Sequence, residues 1–150
     1  MTEMSAMPSP SSKQLETILV VDDDEGVLHI VVAILRFANF RVLSASNGAA
    51  AIELAKKTEG RIDLLLSDLN MPLLSGPDLG EILKKARPDL HVMLMSGGVD
   101  GNLLVLNYGW AFIQKPFVAK RLVEMVTRVL HSPDRSQPGG QGFDTRLDTA

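Results

Sequence analysis

No cysteine occurs in this chain of 150 residues, which excludes disulfide staples and thiolate metal sites alike. No run of lysine and arginine occurs either, and the net charge of −3 is too small for a strong general field. A nucleic-acid partner is therefore not expected. Long apolar runs are missing too. The longest, residues 27–35, is interrupted by His29 and falls far short of the roughly 20 residues that a bilayer crossing needs. Residues 1–14 lack the basic start and apolar stretch of a secretory signal. No internal repeat is visible. These absences leave a soluble protein, expected in the cytoplasm and without a membrane partner.

Apolar residues make up 45% of the chain, enough for one domain with its own core. The two ends differ from the middle. Residues 1–14 are rich in Ser, Pro and Met without periodicity, and residues 132–150 carry Pro133, Pro138, Gly139, Gly140 and Gly142. Both are expected to be flexible tails or linkers around a folded span over 15–131. Within that span, apolar runs alternate with segments of helical period. Strands are predicted over residues 17–21, 41–45, 62–68, 91–96 and 112–114. Helices are predicted over 24–38, 48–58, 76–86 and 117–130, with a short apolar segment at 102–106. Pro88 stops the third helix because a proline cannot continue its hydrogen-bond ladder. Runs such as Leu64-Leu65-Leu66 suit strands buried on both faces, hence a parallel α/β sheet with helices on each side. Right-handed crossovers then give a doubly wound sheet.

Polar groups close these apolar runs. Asp22-Asp23-Asp24 ends the first strand, Asp68 the third, Ser96 the fourth and Lys115-Pro116 the fifth. In open parallel sheets, ligands bind outside the carboxyl ends of the strands, where the strand order reverses. Carboxylates gathered there repel each other by roughly 4 kcal/mol per close pair at 4 Å and an effective dielectric near 20. A positive partner must offset that. Oxygen-only donors suit Mg²⁺, and Lys115 adds a second positive charge. Such a pair of cations can neutralise an incoming phosphoryl group, and an ionised Asp can serve as its nucleophile. Asp24, next to a helix start, has the simpler role of an N-cap.

The segments Ile18-Leu19-Val20-Val21-Asp22-Asp23-Asp24, Leu66-Ser67-Asp68-Leu69-Asn70-Met71-Pro72 through Gly76, Met95-Ser96-Gly97 and Gln114-Lys115-Pro116-Phe117 resemble, in order, the receiver domain of two-component response regulators. The resemblance spans residues 17–130. It implies a five-stranded, flavodoxin-like sheet of order 2-1-3-4-5. It also implies that Asp68 is the phosphoacceptor, with Mg²⁺ on Asp23, Asp68 and the Asn70 backbone carbonyl, and on Asp22 directly or through water. Lys115 would pair with the acids and then with the phosphoryl group. Ser96 would be the switch hydroxyl and Phe112 the switch aromatic. Asn70 and Gly98 would modulate acyl-phosphate hydrolysis, and both leave room for water. The donor would be a phosphohistidine on a sensor histidine kinase or a histidine phosphotransfer protein, and a further, unnamed protein would read the phosphorylated state. The resemblance thus implies a signalling module, which catalyses its own phosphorylation and acyl-phosphate hydrolysis, rather than an enzyme with an external substrate. With no DNA-binding segment after residue 130, direct control of transcription is not expected from this chain.

The stretch from Ser96 to Lys115 is about three residues shorter than is usual in that family, which leaves only residues 100–107 for a fourth helix. In the first helix, Val27, Ile30, Val31, Ile34 and Leu35 are expected to form the core stripe. Leu28 and Val32 widen the apolar arc, either to pack on the last helix or to dock a phosphodonor helix bundle. A haloacid-dehalogenase-type phosphatase would want an Asp-x-Asp pair on the first strand and a cap insertion. Neither is present. A degenerate receiver that acts only as a scaffold would not be expected to keep Asp22, Asp23, Asp68, Ser96 and Lys115.

Overall fold

The first strand, β1 (Thr17–Val21), is buried along its whole length and pairs with neighbours on both sides. The computed structural model describes residues 15–97 and 109–132. After β1 come α1 (Glu25–Phe37), β2 (Arg41–Ala45), α2 (Gly48–Lys57), β3 (Leu64–Asp68), α3 (Gly76–Ala86), β4 (His91–Ser96), β5 (Ala111–Gln114) and α4 (Ala119–His131). The five strands are all parallel, in the order β2-β1-β3-β4-β5. This is the flavodoxin-like 2-1-3-4-5 sheet, with its reversal between β1 and β3. The shortened helix expected over residues 100–107 lies outside the described residues, as does Gly98.

Side chains alternate across each strand, so an unbroken apolar run feeds two separate cores. Leu19, Val21, Leu65 and Leu94 pack with Ala51 and Ala55 of α2 and with Leu79 and Leu83 of α3. Ile18, Val20, Leu66, Met93 and Ile113 pack with Val31 and Leu35 of α1 and with Leu122 and Val126 of α4. Each fully buried Leu or Ile contributes roughly 1.5–3 kcal/mol. Two faces filled in this way fix the register, because a slip by one residue would exchange the cores.

Helix starts are set by single side chains. Asp24 Oδ1 accepts from the N–H groups of Gly26 (2.9 Å) and Val27 (3.1 Å), so the capping role expected for Asp24 is borne out. Asn47 caps α2 through Ala50 N–H, and Ser75 caps α3 through Asp78 N–H. At the other end of α2, the Arg87 guanidinium donates to the carbonyls of Ala55, Thr58 and Gly60. Asp63, expected inside the third strand, lies just before it and instead clasps two elements. Its carboxylate accepts from Thr17 N–H at 2.8 Å and from Arg61 at 2.9 Å.

Helix α1 departs from the expected stripe at one residue. Ile30 is 61% exposed, whereas Leu28 and Val32 are half-buried against the second core. The inward face centres on Val31 and Leu35, which turns Ile30 outward and brings Leu28 and Val32 in. Trp110, just ahead of β5, packs against α3 at Gly80. A Cβ on Gly80 would lie 2.9 Å from two ring carbons, so the helix carries glycine where the indole approaches.

Candidate functional site

The carboxyl ends of β1, β3 and β5 converge. Asp22, immediately past β1, is wholly buried; Asp68, the last residue of β3, is half-buried, and Asp23 is exposed. One carboxylate oxygen from each of the three lies within 4.8 Å of the others. Two strands bring this about. Val21 pairs with Ser67, so the residues that follow leave adjacent strand ends at the same level.

Lys115 reaches in from the end of β5. Its Nζ donates to Asp68 Oδ1 at 3.0 Å and to Asp22 Oδ2 at 3.2 Å. Its backbone N–H donates to the Ser96 carbonyl at 2.8 Å, and a cis peptide bond joins it to Pro116. The second oxygen of Asp22 accepts from Asp24 N–H at 2.9 Å, so both oxygens of that buried carboxylate have partners.

The charge balance is uneven: three carboxylates face one ammonium. Burial raises the Asp68 carboxyl above its ordinary value, the Lys115 hydrogen bond opposes this, and the charges of Asp22 and Asp23 add to the rise. Burial works to lower the Lys115 ammonium, but Asp68 and then Asp22 outweigh it and hold the group above its ordinary value. The donor set is all oxygen and carries excess negative charge, which fits a hard divalent cation such as Mg²⁺.

The other residues singled out from the sequence take varied places. Ser96 ends β4, is buried, and stands in register with Gln114. Phe112 is half-buried on β5 opposite Leu94, two residues from Trp110 and therefore on the same side of the strand. Asn70 is exposed in the loop after β3. Leu28 and Val32 sit on α1, half-buried and packed against the second core. Gly98 falls outside the described residues. Ser67 is a further polar residue beside the acids. It is completely buried and donates its hydroxyl to the Asp68 carbonyl at 2.9 Å. A polar residue closing an otherwise apolar strand, next to the acid, is its signal in the sequence.

Known proteins are similar to this chain over its folded span. The description "response regulator receiver domain" fits residues 18–127. The transcriptional regulatory protein PrrA of Mycobacterium bovis is 37% identical over 116 residues, covering 75% of this chain and 49% of PrrA. The sensor kinase CckA of Brucella abortus is 31% identical over 121 residues, covering 79% of this chain and 13% of that kinase. The chain thus spans about half or less of these curated relatives. A response regulator receiver domain protein from Clostridium thermocellum superposes with a TM-score of 0.71 at 28% identity, covering 77% of this chain and 94% of its own. With the family description fitting residues 18–127 and the sheet in the order 2-1-3-4-5, the chain belongs to the receiver domains of two-component response regulators.

Proposed function

We propose that this receiver takes a phosphoryl group onto Asp68 from a phosphohistidine of a sensor histidine kinase or a histidine phosphotransfer protein. A carboxylate oxygen of Asp68 attacks phosphorus, the P–N bond breaks, and the released imidazole takes up a proton. Mg²⁺, when bound, would neutralise charge on the transferring group. Asp23, Asp68 and the Asn70 carbonyl would hold it, with Asp22 acting directly or through water. Lys115 would stay with the phosphoryl oxygens from the other side. Ser96 and Phe112 would answer the new charge by moving, and a partner protein would read the changed surface.

The observation that carries this reading is the arrangement of three carboxylates within 4.8 Å, with the Lys115 ammonium on two of them. Phosphoryl transfer relies on positioning and charge neutralisation. The strand ends supply the positioned carboxylates and one ammonium, and a bound divalent cation would complete the neutralisation. Incubation with acetyl phosphate and Mg²⁺, read by intact mass, is expected to give a single phosphoryl adduct. The adduct should be absent from Asp68→Asn and lost over time as the acyl phosphate hydrolyses. A wild-type protein that gains no adduct would overturn the proposal and favour a scaffold.

A further inference from the structure

The peptide that follows Asp68 is held from both sides. Leu69 N–H donates to the Met95 carbonyl of β4 at 2.8 Å. The Asp68 carbonyl points the opposite way, beyond Val21↔Ser67, the last pair of the β1–β3 ladder. There it accepts the Ser67 hydroxyl at 2.9 Å. Ser67 is 0% exposed and has the strand parity of Leu65 and Leu69, so it sits on the α2–α3 side of the sheet. The Asp68 side chain leaves on the other side, toward Lys115. Helix α3 closes on the same carbonyl oxygen. A Cβ on Gly76 would lie 2.3 Å from it, and Gly76 N–H donates to the Leu69 carbonyl at 3.0 Å.

A buried hydroxyl costs stability unless it is bonded, and this one is spent on the backbone of the acidic residue itself. We infer that Ser67 is a positioning residue for the transfer. Its hydroxyl fixes the tilt of the Asp68 peptide, with Gly76 allowing α3 to seat against it, and thereby aims the carboxylate at the phosphoryl group. This rests on the reading of Asp68 as phosphoacceptor. Ser67 touches no reacting atom. It acts through the main chain of the residue that does. Misplacing a nucleophile by about 1 Å can cost up to about 10²-fold in rate.

The test is Ser67→Ala in the full chain, phosphorylated with acetyl phosphate and with phosphoramidate at saturating Mg²⁺. The fraction folded at the assay temperature is checked by far-ultraviolet circular dichroism. The expected result is a fall of about tenfold in rate with both donors, equal in size from pH 6 to pH 9, in protein that is fully folded. A purely structural Ser67 would lower the melting temperature and leave the rate of the folded protein unchanged, and that result overturns the inference. So does a loss that disappears at high pH, which would mean that only the Asp68 ionisation had moved. If the wild type itself takes no phosphoryl group, the reading of Asp68 fails and this inference fails with it. Wild-type labelling with an unimpaired Ser67→Ala variant overturns this inference alone.

Discussion

Asp68 is a residue whose ionised form the fold resists. Its carboxyl lies above the ordinary carboxylate value, first through burial and then through Asp22 and Asp23, with only Lys115 acting against them. A carboxyl raised in the folded state gives stability that is complete below the unfolded value, near 3.9, and is lost as pH rises through the folded value. At neutral pH the charge on Asp68 is therefore a cost. Asp68→Asn should melt higher than wild type at pH 7 in the presence of a chelator, by roughly 2–4 °C. The gap should narrow as the pH falls toward about 4, and also when Mg²⁺ is added. A variant that melts lower than wild type at pH 7 would show that the Lys115 contact outweighs the repulsion.

At the scale of elements, the contact between Trp110 and α3 is the one that local propensity opposes. Glycine inside a helix costs about 1 kcal/mol relative to alanine, yet Gly80 sits mid-helix because the indole occupies the space where its Cβ would be. Gly80→Ala should therefore destabilise the protein by about 1 kcal/mol, as overpacking outweighs the gain in propensity. In a Trp110→Ala background the same change should stabilise by up to about 1 kcal/mol. Urea unfolding of the four proteins closes the cycle, and equal effects in both backgrounds would exclude the contact as the cause.

This pairing also marks where sequence reading stops. Strands such as β1 and β4 could be placed from their apolar runs, because burial on both faces leaves no polar interruption. The acids and Lys115 followed from their places just after those runs. Asp24 could be assigned to capping because it stood next to a helix. Ile30, expected in the core stripe, faces outward instead, since an apolar arc as wide as that of α1 does not say which edge faces inward. Helix α4 starts two residues later than the expected residue 117, as Val118 makes no side-chain cap bond that would mark it. Trp110 on Gly80 depends on three-dimensional approach, which no periodicity records. Ser67, in contrast, stands next to Asp68, and only the direction of its hydroxyl bond is absent from the sequence.

For the molecule as a whole, the buried residues of both cores and all three acids lie, among the described residues, within 18–126, with Val129 and Leu130 packed against the second core. No helix among the described residues is long and apolar enough to cross a membrane. We propose that residues 15–131 are the folding unit. A chain trimmed to residues 15–132 should melt within roughly 2 °C of the full chain. It should also take the same Mg²⁺-dependent adduct. A larger drop in melting temperature would mean that an end segment covers part of the core.

The pairing of Val21 with Ser67 carries one more consequence. Neighbouring strands stand about 4.8 Å apart because that is the reach of an amide hydrogen bond across a sheet. Asp22 and Asp68 leave two such strands at the same level, so their backbone separation is a ruler made of peptide groups. Side-chain changes elsewhere in the protein cannot lengthen it. The gauge of the acidic cluster is inherited from the main chain, while side chains set the identity and the aim of the groups that hang from it.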